Sequence, residues 1–418
     1  MTTALGAADV VVWGIITFSI LVVFHEMGHF LAARSFGVKV HEFMVGLPGP
    51  AIRFRTKNMS WGVTAIPLGG YVRIAGMEPG DEDELLAPAL AAVRDGLVTD
   101  ERSLAAELMV TIERAGSILA TLADWKAVAP ADDDTYHLTL DGDVASLDPT
   151  ALLAHARSYT YRGKSTSKRI AILAMGVITN ILVAILTFTV VLSVWGYYDY
   201  TTRLDSIEPG TPAAEAGLER GDVLLAVDGT AVETWDEFQR LMAATSPEQT
   251  VALTIDREGQ RLEYEVTLDE RDGHGFLGVG PTEVPVRPNV IESVGQSLQL
   301  TGLVFTSILD LFNPSTFSTT VQGARGVVGV SVMAAEAAHA GALSYAALIA
   351  MLSLSLGIMN VIPLPPLDGG KIVLEIIERI MGRPLARGVT LALSSVGAVL
   401  LFSLIGYIMY ADIVRIAQ

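Results

Sequence analysis

Residues 10–29 read VVVWGIITFSILVVFHEMGH, and the fold turns on how this stretch is read. From Val10 to Phe24 it carries no charged residue, which suits the start of a membrane span of about 20 residues. It then ends in His25-Glu26-Met27-Gly28-His29. Residues four apart share a helix face, so both imidazoles can reach one metal ion. Glu26 lies on an adjacent part of the helix, where it can take a proton from a water activated by that ion. Two surface histidines would be the simpler explanation of the spacing. The apolar flank argues against it, because ionisable groups inside a membrane are costly and usually functional.

Composition agrees with a membrane setting. Of 418 residues, 51% are hydrophobic and 18% charged. There is no cysteine, so disulfides and thiolate ligands are excluded and a zinc ion must be held by His and carboxylate. The net charge of −18 argues against nucleic acid as a partner. The start, Met1-Thr2-Thr3-Ala4, lacks the basic region of a cleavable signal peptide.

Four segments read as membrane spans: Val10 to Phe36, Ile170 to Tyr197, Tyr345 to Leu364 and Val389 to Tyr410. Leu298 to Phe312 is apolar but short and contains Asp310, and it reads as an amphipathic interfacial helix. Arg157, Arg162, Lys164, Lys168 and Arg169 precede the second span, and Lys371, Arg379, Arg383 and Arg387 separate the third from the fourth. By the positive-inside rule these two loops are cytoplasmic and both termini lie outside. The first and third spans then run in the same direction, and their C-terminal ends meet on the cytoplasmic side.

The end of the third span reads Asn360-Val361-Ile362-Pro363-Leu364-Pro365-Pro366-Leu367-Asp368-Gly369-Gly370. Prolines break the helix, and two glycines free the backbone after Asp368. Asp368 is a natural third ligand there, leaving one position for water. None of the other histidines (His41, His137, His155, His274 and His339) has a partner four residues away, so a third histidine is the less attractive choice.

Taken together, these motifs resemble the site-2 protease family of intramembrane zinc metalloproteases, close to the bacterial regulator-of-sigma-E protease branch. The resemblance also rests on Ala65-Ile66-Pro67-Leu68-Gly69-Gly70-Tyr71-Val72 and on a PDZ-like block between the second and third spans. It implies zinc held by His25, His29 and Asp368, with Glu26 as catalytic base. It implies substrate contacts at Asn360, Asn180, Gly69 and Gly70. The implied activity is endoproteolysis within transmembrane segments of single-pass proteins, such as anti-sigma factors or remnant signal peptides, in a bacterial inner or plasma membrane. Two departures are visible. Family members often carry Ala-Gly-Pro before the asparagine matched by Asn180, where this chain has Ala174-Met175-Gly176-Val177-Ile178-Thr179. Ala324-Arg325-Gly326-Val327-Val328-Gly329 stands where Gly-Pro is common.

The expected fold is a polytopic α-helical membrane protein with four transmembrane helices, membrane-associated β-hairpins and one extracytoplasmic PDZ domain. Residues 1–37 hold the first span, 38–78 the hairpins, 79–165 a cytoplasmic insert and 166–198 the second span. Residues 199–285 hold the PDZ domain, 286–344 amphipathic linker helices, 345–370 the third span, and 371–418 a cytoplasmic loop with the fourth. In the insert, apolar residues from Leu104 to Leu122 have helical spacing, and Tyr136 to Leu140 alternates like a strand. The expected partners are single-pass membrane substrates, the lipid bilayer and a peptide or C-terminus bound by the PDZ domain. Two rival readings are a catalytically silent PDZ scaffold and a zinc transporter. A scaffold needs no Glu26, and a transporter needs acidic or histidine sites along several spans, which the second span lacks.

Overall fold

The computed structural model describes residues 6–417 apart from 57–58, 67–68, 78–81, 132–134, 141 and 272. The apolar stretch and its histidine motif form one continuous helix, α1 (Ala7–Ser35). Four short strands follow: β1 (Val40–Val45), β2 (Ala51–Arg55), β3 (Ser60–Thr64) and β4 (Gly70–Ile74). They make one sheet in the order β2-β3-β1-β4, with β1 parallel to β3 and the other pairs antiparallel. The expected hairpins therefore reduce to one, β2–β3, inside a sheet where β1 lies parallel to β3. The open edges are β2 and β4. Val63 pairs with both Val45 and Ile52, so β3 is an inner strand. Val40, Phe43 and Ile74 of the sheet pack against Ala32 and Ala33 of α1. Pro67, Leu68 and Asp81 lie outside the described residues.

The insert contains α2 (Leu86–Arg94), α3 (Glu101–Leu108), α4 (Ile112–Asp124), a ribbon of β5 (Val128–Pro130) and β6 (Tyr136–Leu138), and α5 (Pro149–Arg157). Leu86, Leu90, Leu104, Ile118, Leu119 and Leu122 fill its core. The helical spacing over 104–122 is divided between α3 and α4. Met109 adopts a left-handed φ of 54°, and the Thr111 hydroxyl accepts from the Arg114 N–H to start α4. Asp124 ties the insert to the sheet by accepting from the Gly76 N–H at 2.8 Å and lying 3.4 Å from His41 Nε2. Helix α6 (Thr166–Val194) follows.

Residues 190–293 form a separate compact unit. It comprises β7 (Tyr197–Ile207), α7 (Pro212–Glu215), β8 (Val223–Val227), β9 (Thr230–Ala231), α8 (Trp235–Ala243), β10 (Thr250–Arg257), β11 (Gln260–Thr267), β12 (Asp269–Arg271), β13 (His274–Phe276) and β14 (Val279–Val286). The main sheet runs β11-β10-β8-β7-β14, with β9 on β8. Inward alternation along β10 buries Val251, Leu253 and Ile255 against Trp235 and Phe238 of α8. Asp222 is buried beside them. Arg257 grips it through Nε at 2.7 Å and Nη2 at 2.8 Å, and the Glu219 N–H also donates to it. Burial pushes the Asp222 carboxyl up, but the Arg257 hydrogen bonds, the Glu219 N–H and the guanidinium charge outweigh it and hold the group below the usual carboxylate range.

The remaining helices are α9 (Val290–Leu309), α10 (Phe317–Gly323), α11 (Val327–Ala340), α12 (Ala342–Met359), α13 (Asp368–Met381) and α14 (Arg387–Ala417). Among the described residues, four helices are long and apolar enough to cross a membrane: α1, α6, α12 and the 388–412 part of α14. Helix α9 starts before the expected Leu298, and its Leu300, Val304 and Ile308 pack on Phe188 and Leu354. Helix α11 falls within the linker helices expected over 286–344, but it is apolar rather than amphipathic. It packs along α1, where a side chain on Gly14 would collide with Ser331, and Asp412 caps it by accepting from the Gly326 and Gly329 N–H groups at 2.6 and 3.1 Å. These same glycines have no room for a Cβ beside the Asp412 carboxylate.

Arg257→Leu leaves the buried Asp222 carboxylate without its charge-assisted hydrogen bonds, so it should destabilise residues 190–293 by roughly 1.5–3 kcal/mol. Faster hydrogen exchange at β8 and β10 amides of the full chain would report it. Unchanged exchange would show that the pair contributes little. Because the folded-state pKa of Asp222 is depressed, its stabilisation is present above the ordinary carboxylate pKa and is lost as pH falls through the folded value.

Candidate metal centre

The three donors come from two helices far apart in sequence. His25 and His29 lie one turn apart on α1, and Asp368 is the first residue of α13. The three side chains are buried, at 8%, 7% and 4% exposure. Asp368 Oδ2 lies 3.0 Å from Nε2 of both His25 and His29, and the two Nε2 atoms are 3.3 Å apart. These are the His, Asp or Glu groups that converge closely enough to hold a metal ion among the described residues.

Local chemistry prepares this trio for a cation. His29 Nδ1 donates to the Ile172 carbonyl at 2.8 Å, which leaves the Nε2 lone pair directed at the shared point. The Asn180 amide is fully buried 3.4 Å from His25 Nδ1, and its Oδ1 has no partner. Amide oxygen and nitrogen are nearly interchangeable in shape. With Oδ1 turned toward the ring, His25 Nδ1 donates to it, the orphaned oxygen is satisfied and the His25 Nε2 lone pair is freed. Asp368 sits in the first turn of α13, where the helix dipole favours a carboxylate. Two imidazoles and one carboxylate, each oriented from behind, fit a zinc ion.

Glycines make the approach possible. A Cβ on Gly176 of α6 would collide with the His29 and His25 rings, and one on Gly28 would collide with the Met175 carbonyl. Helices α1 and α6 can therefore cross at backbone distance beside the site. Gly369 and Gly370 were expected to free a loop after Asp368. They instead form the first turn of α13, because the 361–365 backbone lies against them and leaves no space for side chains. Helix α12 ends at Met359, before the expected Leu364, and the Asn360 carbonyl accepts from the Gly369 N–H at 2.7 Å.

The other candidates are distributed around this centre. Glu26 is half-buried beside the histidines and makes no hydrogen bond or ion pair among the described residues. Asn360 is buried, with its amide donating to Leu356 O at 2.9 Å. Gly69 holds a φ of 103° and accepts from the Gly46 N–H, and Gly70 opens β4 where a side-chain Cβ would press against Val22, one turn before His25 on α1. Asn180 lies behind His25. Sequence reasoning missed Gly176, Ile172 and Lys371, whose Nζ donates to Asp368 Oδ1 at 3.2 Å. The position of Lys371, one turn after Asp368, was the available signal for that contact.

The model of peptidase family M50 matches residues 13–404. The zinc metalloprotease RasP of Oceanobacillus iheyensis is 27% identical over 428 residues, covering 96% of this chain and 98% of that protein. The RasP protein of Shouchella clausii is 27% identical over 420 residues, covering 96% and 97%. Among solved structures, the PDZ domain of an SdrC-like protein from Listeria monocytogenes aligns with 21% of this chain and 90% of its own, at 22% identity and a TM-score of 0.19.

The contact behind His25 makes a prediction. Asn180→Leu should weaken zinc binding about 10- to 100-fold, because nothing then sets the His25 tautomer. Asn180→Asp should retain it, since a carboxylate accepts from Nδ1–H. Competition with a chromophoric chelator measures both. Parental affinity in Asn180→Leu would remove the residue from the metal centre.

Proposed function

This chain belongs to peptidase family M50, which makes it a zinc-dependent membrane metalloprotease, and from that premise we propose that it cleaves peptide bonds within membrane-embedded segments of other proteins. The observation that carries the proposal is the burial of His25, His29 and Asp368 together, with Glu26 beside them and otherwise unengaged. His25, His29 and Asp368 would hold the zinc. When bound there, zinc supplies a Lewis acid for the scissile carbonyl and acidifies water. Glu26 takes the proton of the attacking water and returns it to the leaving amine. Asn180 orients His25. Asn360, Gly69 and Gly70 border the substrate backbone.

A helical substrate hides its carbonyls in its own hydrogen bonds, so it must unwind before attack. The open edge of β4 supports a route. It begins at Gly70 next to α1, and an extended segment can add to it as a further strand. The substrates are single-pass proteins such as anti-sigma factors or remnant signal peptides, in a bacterial inner or plasma membrane. The Lys and Arg content of the loops before α6 and α14 supports an active site near the cytoplasmic side, with residues 199–285 as a PDZ domain outside. That domain binds a peptide or C-terminus, or excludes bulky ectodomains.

Glu26→Gln should abolish cleavage of a transmembrane substrate while zinc content stays at the parental level, because the amide is nearly isosteric but accepts no proton. Substantial residual turnover would reject Glu26 as the base. Substrates with Gly, Pro or Asn in the span should be cut faster than Leu-rich ones, since unwinding costs them less. Equal rates under conditions where chemistry limits would rule out strand addition at β4.

A further inference from the structure

We propose that an arginine-lined cavity at the ends of α6, α13 and α14 binds the phosphate of an anionic phospholipid, one of whose acyl chains enters the apolar slot beside it. The cavity encloses about 510 Å³ and gathers Arg157, Arg162, Arg169, Arg379 and Arg383 from separate segments. Among the described residues, only Glu82 and Glu378 oppose them in its lining, in a chain whose net charge is −18. Overall composition therefore does not account for the cluster.

Part of this charge is uncompensated. Arg157 pairs with Glu82 at 3.1 Å and Arg169 with Glu375 at 2.9 Å. Arg162, Arg379 and Arg383 have no ion pair among the described residues. Among the described residues, the Nε atoms of Arg162 and Arg169 are buried without an acceptor. A buried guanidinium N–H without a partner is costly, and a phosphate oxygen is the acceptor whose geometry suits it. Thr166, the first residue of α6, adds the positive end of a long helix to the same lining.

The neighbouring slot selects a lipid over a soluble phosphate. It encloses about 360 Å³, and Arg162 and Glu378 line it as well as the cavity. Val72, Ile74, Met77, Leu173 and Leu374 give it an apolar wall, while Arg73, Lys371 and Glu375 line the slot as well. It reaches Thr390 and Ser394 in the first turns of α14, inside the apolar 388–412 stretch, whereas Arg383 precedes that stretch. Cation and apolar wall thus follow each other in the order of a headgroup and its chain at a membrane boundary. One wall is β4, so a bound acyl chain and a substrate strand on β4 exclude each other.

Native mass spectrometry of the full-length, zinc-loaded protein with phosphatidylglycerol, phosphatidylcholine or glycerol 3-phosphate tests this. Phosphatidylglycerol should be retained at least about tenfold more than phosphatidylcholine, and Arg379→Ala with Arg383→Ala should lower that retention roughly tenfold. Both arginines are exposed and make no ion pair, so their removal should leave the fold intact. Leu374→Trp should fill the slot and lower retention with every arginine in place. Equal retention of the two lipids, or no loss in the double variant, would overturn the proposal. Displacement of phosphatidylglycerol by equimolar glycerol 3-phosphate would overturn it in favour of a soluble-anion site.

Discussion

The rest of the structure depends on the burial of one carboxylate between two imidazoles among apolar helices. A charge taken out of water is tolerated only when it is paired and hydrogen-bonded. Asp368 meets that condition through His25 and His29 on one oxygen and Lys371 on the other. The helices must approach closely to allow it, which is why Gly28 and Gly176 sit at the α1–α6 crossing and Gly369 and Gly370 open α13. A divalent cation among the three donors would offset the carboxylate charge and use both imidazole lone pairs.

What lies behind the donors is as specific as the donors. The Ile172 carbonyl fixes His29, and the Asn180 amide faces His25. Both come from α6, the helix whose glycine admits the rings. Replacing that helix face by larger side chains would displace the histidines even with every ligand intact. Glu26, by contrast, is held by its helix alone, which leaves its carboxylate available for proton transfer.

Much of this centre was legible in the sequence, because its signals are local. His25 and His29 declare themselves by helical period, and Asp368 by the prolines and glycines around it. The roles of Gly369 and Gly370 were misread, because helix propensity marks glycine as a breaker while tertiary contact here demands the absence of a side chain. Strand β1 lies within the region expected to form hairpins, but its parallel pairing with β3 has no local signal, since its burial does not alternate with period two. Helix α11 lay within the linker helices expected over 286–344, and its 14 residues are too few for a span. Partners such as Ile172 and Asn180 are more than 140 positions from the histidines they touch, and a single sequence carries no local trace of that contact.

X-ray absorption at the zinc edge of the purified full-length protein tests the central claim most directly. The account predicts two imidazole nitrogens at about 2.0–2.1 Å and oxygen as the remaining ligation. It also predicts that Asp368→Asn alters the oxygen shell while the imidazole scattering persists. A spectrum with one or three imidazoles, or one unchanged by Asp368→Asn, would contradict it.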